Sequence, residues 1–124
     1  MILGDAGLPG IDAKAGLAVM GGNASLYARM LKKFADSPYY DELTAAIERG
    51  NVEEIRAGAH TLKGVAANLS LQPLKDLVTE IEQEAKNGAA VASGDPRLAA
   101  LEQAYRDARA SALLAAEDPE KLKG

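Results

Sequence analysis

The chain has 124 residues with 14 basic and 18 acidic side chains, a formal net charge of -4. That is one domain's worth of sequence, and its acidic balance argues against nucleic acid or an anionic membrane as partner. It has no Cys, no Trp and a single His, which excludes a disulfide scaffold, a thiolate metal site or nucleophile, a His-rich metal cluster and an aromatic platform for bases.

Residues 1–10 carry three Gly and one Pro and read as a linker at the edge of an excised domain. They lack the basic and long apolar regions of a signal peptide. Ala alone accounts for 25 residues of the chain, and from residue 13 onward helix formers dominate. Asp12 predicts the cap of a helix over about 13–20, ended by Gly21-Gly22. Asn23 predicts the cap of a second, about 24–36, with Tyr27, Met30, Leu31 and Phe34 on one stripe. Ser37-Pro38 opens a third, about 38–49, with Tyr40, Leu43 and Ile47 inward, Tyr39 exposed and Gly50 closing it. Asn51 with Glu54 fits a capping box for a fourth, about 52–69. Gln72-Pro73 starts a fifth, about 73–87, and Asp95-Pro96 caps a sixth, about 96–116.

No segment alternates like a β-strand and no apolar run is long enough to span a membrane. The reading is an all-α protein: an antiparallel four-helix bundle from residue 38 onward, with the two N-terminal helices capping or flanking one end. The domain runs from 11 to 116, residues 117–124 form a flexible tail, and nothing points away from the cytoplasm.

The fourth helix carries the chemistry. Val52, Ile55, Ala59, Leu62, Ala66 and Leu69 recur at spacings of three and four, a core seam. At about 100° per residue, His60 lies about 130° from the mean of that seam and Gly64 about 170° from it. The only histidine therefore points outward from mid-helix, among Arg56, Ala57, Lys63, Gly64 and Ala67. Gly64 costs about 1 kcal/mol of helix propensity and is off the seam, so its use is clearance for something approaching from outside. Lys63 adds a positive charge beside a ring whose neutral form is a competent nucleophile.

The segment Ala59-His60-Thr61-Leu62-Lys63-Gly64-Val65-Ala66-Ala67-Asn68-Leu69 closely resembles the signature of histidine-containing phosphotransfer (HPt) domains of multistep two-component phosphorelays. The lead-in Leu8-Pro9-Gly10-Ile11-Asp12, followed by Gly16-Leu17, resembles that of HPt domains attached to hybrid sensor kinases; the Tyr27 to Phe34 stripe and Gly50-Asn51-Val52-Glu53 are similar to the family's layout, and the likeness covers about residues 8–116. The resemblance implies that His60 accepts and donates the phosphoryl group. It implies that Lys63 meets the phosphoryl group or the partner, and that Gly64 lets the partner's active site approach. It also implies that Gln72 supports the ring from the start of the next helix. The docking face would be Arg56, Ala57, Lys63, Gly64 and Ala67, with Val65 at its edge. The implied partner is a response-regulator receiver domain, which brings the aspartate and Mg²⁺. This chain, a monomer, binds no cofactor or metal itself and is not a self-sufficient enzyme. One departure is Ser70, where the family often has Gly, which predicts a turn of different shape.

Other readings stand beside this one. Glu80, Glu82 and Glu84 are read as a solvated face, as is the basic cluster Arg29, Lys32 and Lys33. The sixth-helix stripe Leu98, Leu101, Tyr105, Ala108 and Ala112 is read as core, not a dimer seam. An inert helical adaptor stays open. So does a chemotaxis-kinase type of phosphotransfer domain, phosphorylated directly by a kinase domain, although no acidic neighbour of His60 is visible on its own helix. A hydrolase is disfavoured, because Thr61 faces about 100° away and no carboxylate sits at i±3 or i±4.

Overall fold

A computed structural model describes residues 7–123. Six α-helices follow in order: α1 Ala13–Val19, α2 Ala24–Ala35, α3 Tyr39–Arg49, α4 Val52–Leu69, α5 Gln72–Lys86 and α6 Arg97–Glu117, then a 3₁₀ turn Pro119–Lys123. No strand occurs among the described residues, and no helix among them is long and apolar enough to cross a membrane.

The starts of three helices follow from single side chains. Asp12, Asn23 and Asn51 each accept a hydrogen bond from the backbone N–H three residues on, satisfying a donor the helix itself cannot. The capping box at Asn51 closes only by half, because Glu54 turns to pair with Arg49 instead. Ser37 does not cap α3; its hydroxyl donates to the Phe34 carbonyl at the end of α2. The turn after α4 holds Ser70 in a left-handed conformation, φ 60°, the conformation for which glycine is the usual residue at a helix end.

The seam of α4 is buried as its spacing predicts: Ile55, Ala59, Leu62 and Ala66 are wholly inaccessible and Leu69 almost so, while Val52 at the end is half-buried. It packs chiefly on α5 and α3, and α6 closes the bundle against α5. The expectation that both N-terminal helices flank one end holds for α1 and is corrected for α2. That helix buries Tyr27, Ala28, Leu31, Phe34 and Ala35 and lies along α6. Three rings tie α2, α3 and α6 together. Tyr105 meets Phe34 edge-on at 5.8 Å and stacks on Tyr40 at 4.0 Å. Tyr39, expected to be exposed, is half-buried against the core.

The two ends of the domain also differ from expectation. Residues 1–6 of the proposed linker lie outside the described residues, but Leu8 is buried, and Ser111 of α6 donates to the Pro9 carbonyl. Gly10, at φ +82°, comes so close to α6 that a Cβ would stand 2.9 Å from the Ala108 nitrogen. Of the proposed tail, Gly124 lies outside the described residues, and Pro119–Lys123 fold back as the 3₁₀ turn, with Leu122 buried, against α1, α2 and α6. Apolar residues in short segments, at positions 8 and 122, are enough to dock both ends on the core.

Gly16 of α1 faces Tyr27, whose hydroxyl donates to the Leu69 carbonyl at the end of α4. Burial pushes that phenol's pKa up, so it stays a donor. A Cβ on Gly16 would stand 2.0 Å from the Tyr27 oxygen. Gly16→Ala is therefore expected to cost about 1–3 kcal/mol by overpacking, and Leu62→Ala about 2–5 kcal/mol as a core truncation. Urea unfolding measures both; a loss below about 1 kcal/mol for Leu62→Ala would mean that the inward face of α4 is misassigned.

Candidate functional site

His60 stands midway along α4, with its side chain 64% exposed. Its Nδ1 lies 2.8 Å from Oε2 of Glu82. Glu82 comes from α5, which runs beside α4, and only 2% of it is exposed. The other carboxylate oxygen, Oε1, lies 2.5 Å from the Lys63 ammonium, and Lys86 approaches Oε2 at 3.5 Å. A buried carboxylate is costly unless it is paired and hydrogen-bonded, and this one has two hydrogen-bonding partners, His60 and Lys63, and a third cation, Lys86, nearby. Burial pushes its pKa up. The hydrogen bonds from Lys63 and His60 and the charges of Lys63 and Lys86 outweigh that and bring it down from 4.5 to about 2.

The tautomer of His60 follows. An ionised carboxylate only accepts hydrogen bonds, so Nδ1 must carry the proton. In the neutral ring Nε2 then holds the free lone pair, on the solvent side of a fixed imidazole. The ring is oriented by an acid on another helix, the arrangement that prepares a histidine for nucleophilic work.

The reading of Glu82 as solvated surface is thus corrected. It is an interior residue and the closest acidic neighbour of His60. Sequence periodicity did hold a signal. Glu82 follows Ile81 and precedes Ala85, both buried on the inner stripe of α5, so it sits at the stripe's edge, where a long side chain can turn either way. Glu84 behaves differently again. With Asp95 it grips Arg97 in a cluster that Glu80 joins at 3.3 Å, clamping the 87–96 connection to α5.

The small residues lie where the sequence placed them. Ala57, Gly64 and Ala67 are exposed on α4, and a Cβ on Gly64 would meet nothing within 4 Å. A shallow groove beside the ring is lined by Met30 of α2 with Thr61, Gly64, Val65, Asn68 and Leu69. Ala57 opens instead onto a neighbouring groove toward α3. Arg56 lies one turn before His60 but is paired with Glu53 at 2.6 Å. Gln72 does not join the site. Its amide donates to Asp76, and ten residues of helix, about 15 Å, separate it from Glu82. The supporting side chain comes from the third turn of α5, not from its start. Thr61 donates to the Ala57 carbonyl and is no partner for the ring.

A helical bundle that offers one anchored, outward imidazole, bordered by a lysine and a clear glycine, defines a histidine phosphotransfer module. The profile of the Hpt domain matches residues 30–111, well over half of the chain, and the protein belongs to that family. Comparison with curated proteins and with solved structures returned no match. Hpt domains carry out histidine phosphotransfer in phosphorelays and interact with receiver domains.

The Glu82 carboxylate makes a checkable mark on stability. Its pKa is lower in the folded chain than in the unfolded one, so the stabilisation is fully present above about pH 4.5 and is lost as pH falls toward about 2. Urea unfolding between pH 3 and 7 should show a shallower acid limb for Glu82→Gln than for the unmodified protein. Parallel limbs would mean that His60 and the two lysines do not hold Glu82 as an ion.

Proposed function

We propose that His60 is the phosphorylated residue and that the protein is a cytoplasmic relay intermediate, taking the phosphoryl group from one receiver-domain aspartate and giving it to another. The observation that carries this reading is the free, outward Nε2 of a ring whose Nδ1–H is anchored on buried Glu82. In the transfer Nε2 attacks phosphorus, the N–P bond forms, and the bond from phosphorus to the aspartyl oxygen breaks, returning the aspartate as a carboxylate. Nδ1 keeps its proton, and the positive charge that develops on the ring faces Glu82. The reverse step returns neutral imidazole. Mg²⁺ belongs to the receiver, and this chain contributes no cofactor.

Lys63 is three residues from His60 and is held on Glu82 Oε1 at 2.5 Å. One turn from the ring, its positive charge suits a negative phosphoryl group carried on His60. The bare helix surface at Gly64, with Ala67 a turn beyond, gives a partner close access, and Arg56 and Ala57 border the same face toward the other end of the helix. The contact area would fall at the low end of the range for transient signalling, with this chain acting as a monomer.

Glu82 also favours a second reading. An acidic neighbour for His60 is what the helix itself lacked, and α5 supplies one. Direct phosphorylation by a kinase domain, as in chemotaxis-type kinases, is therefore consistent with the site. Incubation with ATP and a kinase domain, beside incubation with a phosphorylated receiver and Mg²⁺, separates the two routes.

Label should appear on His60 alone, as an acid-labile, base-stable phosphoramidate, and should be absent in His60→Gln. Equal acid-labile labelling of His60→Gln would overturn the assignment, and failure of every donor to label the unmodified protein would leave an inert adaptor. Gly64→Ala should hold or raise stability by up to about 1 kcal/mol and yet slow transfer. Transfer by Gly64→Arg at the unmodified rate would remove the clearance argument.

A further inference from the structure

Glu82 Oε2 accepts a hydrogen bond from Nδ1–H of His60 at 2.8 Å and is ion-paired, without a hydrogen bond, to the Lys86 ammonium at 3.5 Å. Lys86 is the last residue of α5, one turn beyond Glu82, so it reaches back along its own helix to the carboxylate oxygen that anchors the ring. Its side chain is 48% exposed, and its place at the helix C-terminus suits a cation. A Glu–Lys pair four residues apart is commonplace on helix surfaces, where water surrounds both groups. Here the carboxylate is interior and already committed to Lys63 and His60, so the lysine acts on a shared acceptor.

We propose that Lys86 is a positioning residue of the phosphotransfer site: by sharing Glu82 Oε2 with His60 Nδ1–H, it limits how strongly that carboxylate draws on the imidazole and so sets the phosphoryl-transfer potential of the ring. The second half of the proposal rests on His60 being the phosphorylated residue; the first half does not.

The charges facing His60 come from two helices. On α4 they are Lys63 and Arg56, the latter occupied by Glu53; on α5 they are Glu82 and Lys86. The groove on the α2 side offers Met30 and no charge. Two lysines thus stand against one carboxylate. Removing Lys86 takes away a positive charge that opposes protonation of the ring, and it frees Oε2 to accept more strongly from Nδ1–H. Both effects favour imidazolium, and both favour the cationic ring formed when Nε2 takes a phosphoryl group.

The chain has one histidine, so a single Hε1 resonance reports its titration without any partner protein. In Lys86→Gln the midpoint of that titration should move up by about half a pH unit, and Lys86→Arg should restore it. The phosphoryl equilibrium between His60 and a receiver should shift about threefold toward His60 in Lys86→Gln, the same half unit expressed as a ratio. Circular dichroism checks that each variant is folded. A midpoint that stays within about a tenth of a unit, or moves down, overturns the proposal. A midpoint that moves while transfer proceeds with an unchanged equilibrium overturns its second half. If the midpoint moves and no label ever reaches His60, the phosphotransfer reading fails and the coupling of Lys86 to the ring stands.

Discussion

A carboxylate inside a helical bundle must be answered by donors, and Glu82 is answered by His60, Lys63 and Lys86. Two of those donors lie on α4 and one on α5, so a single buried anion fixes the facing register of the two helices. It also fixes the proton on Nδ1 and turns Nε2 outward. The cost of taking this charge out of water is offset by hydrogen bonds from His60 and Lys63, with the Lys86 charge adding to them. Packing and chemistry are thus tied at one residue: a slip of α5 by one position would cost the bundle a satisfied anion and would release the ring.

The rest of α4 shows how one helix combines a filled core seam with a bare outer face. Its inner seam is built of side chains that fill space, Ile55, Leu62 and Leu69. The outer face is built by leaving side chains out, at Ala57, Gly64 and Ala67. Glycine does two opposite jobs in the chain. Gly16 is small because Tyr27 already occupies the room, whereas Gly64 borders open space. The first requirement belongs to the fold. The second has no use within the fold, which is why it points to a partner.

Stability comes in part from the ends. Tyr27 joins α2 to the Leu69 carbonyl, and the Asp12 N–H donates to Ser70 in the turn that follows. Leu8 and Leu122 plug the core from segments outside the main helices. The Tyr27 and Asp12 bonds anchor the end of α4 that lies beyond His60, and none of these contacts covers the ring, which stays exposed. The Arg97 cluster does similar work on the connection between α5 and α6. Order is thereby concentrated around the site's supports.

Period and punctuation determined much of this protein. Spacings of three and four along α4 set its inner seam, and once the seam was known helix geometry turned His60 and Gly64 outward without further information. Asp12, Asn23 and Asn51 marked helix starts because capping is local chemistry, decided within three residues. The His-Lys-Gly run carried the family likeness for the same reason. Tertiary structure decided what depends on neighbours distant in the chain. Glu82 is 22 residues from His60, and the sequence holds no rule for whether a glutamate at the edge of an apolar stripe turns to water or to a lysine on the next helix. Gln72 is polar and lies nearer in the chain, yet the pitch of α5 carries it about 15 Å away. Leu8 and Leu122 sit in segments too short for periodicity, so their burial became visible only when the helices supplied the surfaces that cover them. A helix face is set by its own residues, but the partner of a buried charge is set by how helices meet.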